Sequence, residues 1–111
     1  MANDCIFCKI ANKEIDTKLI YEDENTVAFN DLNPQAPVHF LVIPKKHYAS
    51  LNDIDSEKAF ADIFSAIPKI TKQLGISEYR TVINTGKSAG QTVFHIHVHV
   101  MSGREFGWPA G

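Results

Sequence analysis

The feature that most constrains the fold is a stretch near the C-terminus in which histidine alternates with hydrophobic residues, His95-Ile96-His97-Val98-His99-Val100-Met101. Successive side chains of a β-strand point to opposite faces, so a strand here would place all three histidines on one face and the aliphatic residues on the other. The apolar face must be covered, and a helix packed on the sheet would cover it. Neighbouring imidazoles would then stand about 6.6 Å apart on a rigid support.

Composition and charge narrow the class of protein. Hydrophobic residues make up 44% of the 111 residues and charged residues 22%, which is ordinary for a globular protein and suits a single domain over residues 1–111. The formal net charge is -2, with no block of basic residues that could coat a nucleic-acid backbone. No apolar run approaches the roughly 20 residues that span a bilayer, and the first residues do not resemble a signal peptide. We therefore expect a cytoplasmic protein with no nucleic-acid or membrane partner.

The rest of the sequence predicts four more strands. Residues 18–22 and 26–30 flank a short polar segment, which is the pattern of a hairpin. Residues 39–44 form a continuous apolar run that ends at a proline. Residues 79–85 predict a fourth strand, and the histidine segment belongs to a fifth over residues 92–101. The fold class that follows is α+β, with an antiparallel sheet of about five strands rather than βαβ units.

One main helix is predicted between the third and fourth strands. Apolar residues three and four positions apart mark one face of a helix over residues 56–74, namely Phe60, Ile63, Ile67, Ile70 and Leu74. Asp55 or Ser56 is suited to cap this helix, and Gly75 is suited to end it.

Two details of the helices are less regular. Pro68 lies inside the main helix and lacks a backbone donor, so it predicts a kink or two abutting helices. Near the N-terminus, Ile6, Phe7 and Ile10 have the spacing of a short helix with one apolar face.

Three imidazoles on one face support two chemical interpretations. They could hold a zinc ion with a catalytic water, or one imidazole could attack an electrophile while its neighbours move protons and orient it. The preceding loop favours a phosphate ligand, because it supplies small residues, backbone N–H groups and a hydroxyl. These residues are Gly86, Gly90, Gln91 and Thr92. A P-loop is excluded, since its first glycine would fall where this chain has Thr81.

The histidine segment resembles the motif of the histidine triad (HIT) family, in which histidine alternates with hydrophobic residues. The resemblance covers nearly the whole chain and rests also on residues 5–15, Asn33-Pro34-Gln35-Ala36-Pro37, residues 43–47, Asn84, residues 90–94, Gly103-Arg104 and Trp108-Pro109. This combination is similar to the histidine-triad nucleotide-binding (Hint) branch, whose members hydrolyse nucleoside phosphoramidates and acyl-nucleotides. The Trp108-Pro109 pair favours this branch over the dinucleoside polyphosphate hydrolases of the same family.

The resemblance implies a covalent mechanism on a purine nucleotide. His97 would attack the α-phosphorus and become nucleotidylated. His99 would contact the phosphate and, with Thr92, would help the amine leave in protonated form. His95 would complete the catalytic triad. Thr92 stands where relatives often carry serine, so the hydroxyl is kept and a methyl group is added.

The same resemblance implies where the rest of the nucleotide binds. Asn84 and the backbone at Gly90 and Val93 would bind phosphate oxygens, and Asp31 would accept both ribose hydroxyls. An apolar slot would hold the purine, formed by Ile6, Phe7, Ile10, Ile15, Phe29 and Leu32. The family is dimeric, so we expect a homodimer in which the tail around Trp108 reaches toward the partner's site.

The two cysteines, Cys5 and Cys8, have the spacing of a zinc knuckle. No second cysteine pair follows, so two histidines would have to complete a site, and His47 and His95 are the best candidates. Cysteine-bearing relatives hold a structural zinc in this way, and we therefore expect structural Zn²⁺ that the chemistry itself does not need. Free thiols and a redox pair are the alternatives.

Other functions stay open beside the hydrolase. A non-catalytic nucleotide-binding or scaffold protein would keep the pocket, but it would not need the intact set of His97, His99 and Thr92. A zinc hydrolase would use the three histidines as ligands and so occupy the lone pair that a nucleophile needs. His39 lies in an apolar strand and is interpreted as a hydrogen-bonded core residue.

Overall fold

The computed structural model describes residues 4–111, which form two α-helices and one five-stranded sheet. The elements are α1 (Ile6–Ala11), β1 (Leu19–Glu22), β2 (Thr26–Asn30), β3 (Val38–Pro44), α2 (Glu57–Gln73), β4 (Arg80–Val82) and β5 (Val98–Ser102). Short 3₁₀ turns occupy Leu51–Asp53 and Lys87–Ala89. Neighbouring strands pair antiparallel in the order β1-β2-β3-β5-β4. The predicted α+β class, with five antiparallel strands, one main helix and one short helix, is confirmed.

The turn between β1 and β2 is stabilised by an aspartate. Asp23 Oδ1 accepts the backbone N–H groups of Asn25 and Thr26, each at 2.9 Å. β3 is the longest strand and lies at the centre of the sheet, between β2 and β5. Side chains of β2 and β5 therefore lie next to those of β3.

The sheet separates two apolar clusters, one on each face. The cluster on the α2 face includes Phe40, Ile63, Ile67, Val98 and Val100. The cluster on the α1 face includes Phe7, Ile10, Phe29, Leu41 and Ile43. Ile96, Val98 and Val100 all belong to the α2 cluster, so the histidines between them point to the α1 face. The predicted alternation of the histidine segment is confirmed.

The main helix begins and ends where its sequence predicts. Ser56 caps the N-terminus, and its side chain accepts the Ala59 N–H at 3.1 Å. Gly75 follows the C-terminus with a φ of 72°, and Ile76 donates its N–H to Thr71 O at 2.8 Å. Neither α2 nor any other helix within residues 4–111 has the length and apolar character that crossing a membrane requires.

Pro68 lies inside α2 without dividing it into two helices. Its ring removes the hydrogen bond to the carbonyl of Phe64, four residues earlier. Both residues are exposed, so water can satisfy that carbonyl. Two abutting helices, one of the two alternatives that the sequence left open, are therefore excluded.

The fifth strand is shorter than predicted. Pairing begins only at Val98, so residues 92–97 form a loop instead of strand. In this loop Ile96 donates its N–H to Tyr48 O at 2.7 Å rather than to a neighbouring strand. Two of the three histidines thus lie outside the strand, although the alternation of faces continues through Ile96. The fourth strand is also shorter, with only Arg80–Val82 paired.

Candidate active site

A cavity of about 320 Å³ lies on the α1 face of the sheet, beside the histidine segment. Most of its lining is apolar, with a few carboxylate, hydroxyl and imidazole groups. The lining residues are Ile6, Phe7, Ile10, Ile15, Thr17, Phe29, Asn30, Asp31, Leu32, Leu41, Thr92, Val93, His97 and His99. A lining of this kind suits a ligand that has both a flat apolar part and a polar part.

His97 is held in one tautomer by the backbone. Its Nδ1 atom lies 2.9 Å from the carbonyl oxygen of His95, and because a carbonyl only accepts, Nδ1 carries the proton. In the neutral ring Nε2 is left with its lone pair. The ring is buried and packs edge to face against Phe7, with the ring centroids 5.1 Å apart. The cavity is therefore lined by a fixed imidazole with one unprotonated nitrogen.

His99 is also held in one tautomer. Two successive hydrogen bonds do this, from the Gln35 N–H to His39 and from His39 to His99. Gln35 donates its N–H to His39 Nδ1 at 3.0 Å, so the proton of the neutral His39 ring is on Nε2. His39 Nε2 lies 2.9 Å from His99 Nδ1 and donates to it. The proton of His99 is consequently on Nε2.

The electrostatic surroundings keep His99 neutral. Its pKa is lowered to about 4, first because burial desolvates the ring and then because charge on His97 or His39 would repel its own. Asp31 opposes this shift. The rings of His97 and His99 have centroids 4.9 Å apart. With both rings neutral, the pair offers one lone pair and one N–H within reach of a single ligand group.

Asp31 lies beside the imidazole rings of His39 and His99. Its Oδ2 atom is 3.4 Å from His39 Nε2 and 3.8 Å from His99 Nδ1, while Oδ1 accepts the Asn33 N–H at 2.8 Å. The spacing of Asp31, His39 and His99 would by itself allow a metal ion. The N–H of Gln35 opposes this, because a metal on His39 Nε2 would require the ring proton on Nδ1, where that N–H points.

The four predicted metal ligands come together at the start of α1. Cys8 Sγ lies 3.2 Å from His47 Nδ1 and 3.4 Å from His95 Nδ1, and the two Nδ1 atoms are 3.2 Å apart. Cys5 Sγ is 3.4 Å from His95 Nδ1. His95 Nε2 donates to Pro44 O at 2.8 Å, so the Nδ1 lone pair faces the sulfur atoms. The group of Cys5, Cys8, His47 and His95 could hold a metal ion.

Burial alters the acid–base behaviour of this group. Desolvation lowers the pKa of His95 to about 4, against the opposing hydrogen bond to Pro44. Desolvation and, after it, the neighbouring Cys5 raise the pKa of the Cys8 thiol to about 11. A neutral imidazole is the form that binds a metal, whereas the thiol needs a cation before it gives up its proton.

The family of the chain follows from comparison with known proteins. A model of the HIT domain matches residues 12–106. The chain belongs to the HIT family. An uncharacterized HIT-like protein from Synechococcus elongatus is 46% identical over 114 residues, which cover 100% of both chains. The purine nucleoside phosphoramidase of Escherichia coli is 40% identical over 111 residues, which cover 96% of this HIT chain and 93% of that protein.

Solved structures agree with this assignment. The crystal structure of a HIT family hydrolase from Legionella pneumophila matches with a TM-score of 0.91 and 45% identity, covering 96% of this chain and 99% of the other. The HIT fold and the resemblance read from the sequence are therefore confirmed.

Most of the residues predicted for the HIT site line the cavity. They are Ile6, Phe7, Ile10, Ile15, Phe29, Asp31, Leu32, Thr92, Val93, His97 and His99. Asn84 and Gly90 lie outside the lining, where Asn84 Nδ2 donates to Gly90 O at 3.4 Å. Trp108 also lies outside it and is 86% exposed. His95 faces the cysteines, in keeping with its predicted place among the metal ligands.

The sequence predicted His39 to be a core residue and gave no sign of its place beside the candidate site. The ring is buried and hydrogen-bonded as predicted, but its partner is His99. The register explains this: His39 pairs with Met101, two residues from His99 on the same face, and such diagonal neighbours are within reach of each other. The contact between His39 and His99 could have been predicted from the sequence only if the pairing of β3 with β5 had been known.

Gln91 has a larger role than its place in a predicted phosphate loop suggested. The side chain is buried, and its Oε1 accepts the Gly86 N–H at 2.9 Å. Its Nε2 donates to Ala49 O at 2.7 Å and to Val93 O at 3.0 Å. Gln91 therefore fixes the loop that precedes the histidine segment.

Proposed function

We propose that this HIT protein hydrolyses purine nucleoside phosphoramidates or acyl-nucleotides, such as adenosine 5'-monophosphoramidate, through a covalent nucleotidyl-histidine intermediate. The observation that carries the proposal is the tautomer of His97, whose Nδ1–H is held by His95 O at 2.9 Å. This leaves the Nε2 lone pair for an electrophile in the cavity. A protein that only binds nucleotides has no need of a nucleophile held in this way. The 40% identity to a purine nucleoside phosphoramidase supports the choice of substrate.

In the first step, His97 Nε2 attacks the α-phosphorus and the bond from phosphorus to the leaving nitrogen breaks. The imidazole becomes positively charged as it bonds to phosphorus, and the His95 carbonyl that accepts its Nδ1–H stabilises this charge. The bond that forms and the bond that breaks are both labile P–N bonds. The reaction is thus divided into two steps of similar difficulty.

His99 and Thr92 assist the departure of the amine. The Nε2–H of neutral His99 donates to a phosphate oxygen, where negative charge increases in the transition state. The leaving nitrogen takes up one proton, which the Thr92 hydroxyl relays from solvent. Water then attacks the phosphorus and passes one proton through the Thr92 hydroxyl to solvent, while the bond to His97 breaks and its electron pair returns to Nε2. The nucleoside monophosphate is released. An acyl-nucleotide would follow the same two steps with a carboxylate as leaving group.

The nucleotide is assigned to the cavity according to the chemistry of its lining. The purine packs in the apolar slot of Ile6, Phe7, Ile10, Ile15, Phe29 and Leu32. Asp31 accepts the ribose hydroxyls through its two carboxylate oxygens. Asn84 and the backbone of Gly90 and Val93 bind phosphate oxygens, which requires their loop to approach the ligand.

We also propose that Cys5, Cys8, His47 and His95 hold a structural Zn²⁺. In a tetrahedral zinc site, bonds of about 2.0 Å to nitrogen and about 2.3 Å to sulfur place the donor atoms roughly 3.3 to 3.8 Å apart. The nitrogen–nitrogen distance of 3.2 Å and the sulfur–nitrogen distances of 3.2 to 3.4 Å fit that geometry. When bound, the metal would supply structural cross-linking rather than a catalytic water. Thiolate ligands suit a reducing compartment, and we place the protein in the cytoplasm.

A homodimer is part of the same proposal. β4 is an edge strand, so one side of its backbone is free to pair with the sheet of a second subunit. Trp108 and Leu32 are 86% and 101% exposed, so a second subunit that covers them would remove apolar surface from water. Pairing through β4 would cover apolar surface and bring the tail of one subunit toward the cavity of the other.

The covalent intermediate provides the test of the proposed function. Protein is incubated with an adenosine phosphoramidate and acid-quenched, and the intact chain is weighed by mass spectrometry. We expect a nucleotidyl adduct in the wild-type protein and none in His97→Ala, whose turnover should fall about 10³-fold or more. His99→Asn keeps the nucleophile and should still form the adduct while it turns over slowly. Circular dichroism confirms that each variant is folded.

This experiment, repeated with dinucleoside polyphosphates and with zinc-free protein, separates the alternatives. Release of the amine by His97→Ala at the wild-type rate would refute the role of His97. Nucleotide binding without turnover or adduct would favour the non-catalytic module, and cleavage only of dinucleoside polyphosphates would favour that branch of the family. Loss of turnover in folded protein after zinc removal would favour the zinc hydrolase. Against the zinc hydrolase, His95 and His99 belong to two separate groups of potential metal ligands.

A further inference from the structure

Two contacts fasten the C-terminal tail to the loop between β2 and β3. Arg104, just after β5, donates from Nε to Gln35 O at 2.9 Å. Next to it, Gly103 lies so close to Pro37 that an added Cβ would be 2.9 Å from the proline Cβ, and its φ of 98° favours glycine. The tail and the loop are thus in van der Waals contact and joined by a charged donor.

Gln35 connects this contact to the candidate site. Its carbonyl accepts from Arg104, and its N–H donates to His39 Nδ1 at 3.0 Å. His39 is only 5% exposed, so water has little access to replace that donor. The Gln35 N–H at Nδ1 therefore favours the ring proton of His39 on Nε2, the side on which Asp31 Oδ2 lies 3.4 Å away.

The consequence of losing this N–H can be followed atom by atom. If Gln35 moves away, His39 Nδ1 can carry the ring proton, and Nε2 then becomes an acceptor. His99 would donate from Nδ1 to that acceptor across the 2.9 Å contact, leaving its own Nε2 with a lone pair. The group that His99 presents to the cavity would change from a hydrogen-bond donor to an acceptor, which repels a phosphate oxygen.

We propose that Arg104 is a positioning residue that acts through Gln35 to keep His39 and His99 in the tautomers that present an N–H to the phosphate. Arg104 itself is exposed and does not line the cavity. The consequence for turnover rests on the proposed function, whereas the effect on the tautomers does not.

Arg80, on β4, provides a matched comparison because it contacts the same tail. Both guanidinium groups lie over the Phe106 ring, Arg80 at 5.1 Å and Arg104 at 4.2 Å from its centroid. Both also donate to a backbone carbonyl of the tail, Arg80 from β4 to Gly107 O at 3.0 Å and Arg104 to Glu105 O at 2.9 Å, but only Arg104 also donates to the loop. A change at Arg80 therefore tests general loosening of the tail, while a change at Arg104 also removes the bond to Gln35.

The test reads the tautomers directly, in protein without substrate. The ring nitrogens of His39 and His99 are recorded by ¹⁵N NMR at pH 7 in the wild type, Arg104→Met, Arg104→Lys and Arg80→Met. We expect Nε2–H on both rings in the wild type and in Arg80→Met, and a mixture of tautomers in Arg104→Met. Arg104→Lys keeps one donor for Gln35 O and should restore part of the wild-type pattern. Unchanged tautomers in Arg104→Met, or the same shift in Arg80→Met, would overturn the proposal.

Turnover of an adenosine phosphoramidate completes the test. We expect kcat of Arg104→Met to fall about fivefold to tenfold with KM changed by less than about twofold, because the N–H of His99 matters most in the transition state. A wild-type kcat in Arg104→Met despite mixed tautomers would refute the link to catalysis. If the wild-type protein cleaves no phosphoramidate while Arg104→Met still shifts the tautomers, the proposed function fails and the positioning by Arg104 stands.

Discussion

Single backbone groups determine what each histidine of the triad can do. The three residues look equivalent in the sequence, yet His95 donates to Pro44 O and His97 donates to the carbonyl of His95, while His99 accepts from His39. The result is a lone pair directed to the cysteines, a lone pair for the cavity and an N–H for the cavity. Alternation could be predicted from sequence, but the tautomers could not, because Pro44 and His39 come from a different strand.

The lowered pKa of His99 predicts that acid destabilises the protein. The pKa is about 4 in the folded state and near 6.5 in the unfolded chain, so between these pH values the unfolded state binds more protons. Stability from this group is fully present above pH 6.5 and is lost as the pH falls toward 4. We expect the free energy of unfolding to fall by about 2 to 3 kcal/mol more in the wild type than in His99→Asn over this range.

Urea denaturation at a series of pH values measures this difference. Asparagine keeps an acceptor for His39 Nε2–H but does not titrate, and both proteins retain His95, whose own contribution cancels in the comparison. Parallel curves of stability against pH for the two proteins would contradict the assignment.

The bounds of a helix or strand could be predicted from the sequence where they depend on neighbouring residues, and could not where they depend on contacts with distant segments. α2 was predictable because its apolar face, the cap at Ser56 and the stop at Gly75 are all encoded within the helix and its immediate neighbours. The start of β5 was not predictable, because Ile96 bonds to Tyr48 on another segment and leaves the ladder. The apolar slot was found from the family resemblance, whereas the contacts of Arg104 had no local signal at all.

The attachment of α1 to the sheet is expected to depend on zinc. Cys5 and Cys8 lie at the start of α1, while His95 is fixed to β3 through Pro44 O. We expect about one zinc per chain in purified wild-type protein and none in Cys8→Ser, with a melting temperature lower by about 10 °C or more in the variant. Elemental analysis and thermal denaturation give both quantities.

A chelator serves as the control for this expectation. It should lower the melting temperature of the wild-type protein to that of Cys8→Ser and leave the variant unchanged. Wild-type protein that contains no zinc and melts at the same temperature with and without chelator would contradict a structural metal.

For the molecule as a whole, we expect a homodimer. If β4 pairs with a second subunit, light scattering should give about twice the 12.4 kDa chain mass at micromolar concentration. The edge strand and the exposed Trp108 and Leu32 are the physical reason. A mass of one chain at every concentration up to the solubility limit would rule the dimer out, and the tail would then have to act within its own subunit.

The division of the interior into two apolar clusters also bears on engineering. The histidines and the purine slot lie on the α1 face, while Ile63, Ile67 and Ile70 pack on the other side of the sheet. Substitutions in the core between α2 and the sheet can therefore be used to raise the melting temperature with little effect on the candidate site. The sheet separates the substituted side chains from the histidines. A catalyst intended for harsh conditions could be evolved in two separate libraries, one for each side, and the winners combined.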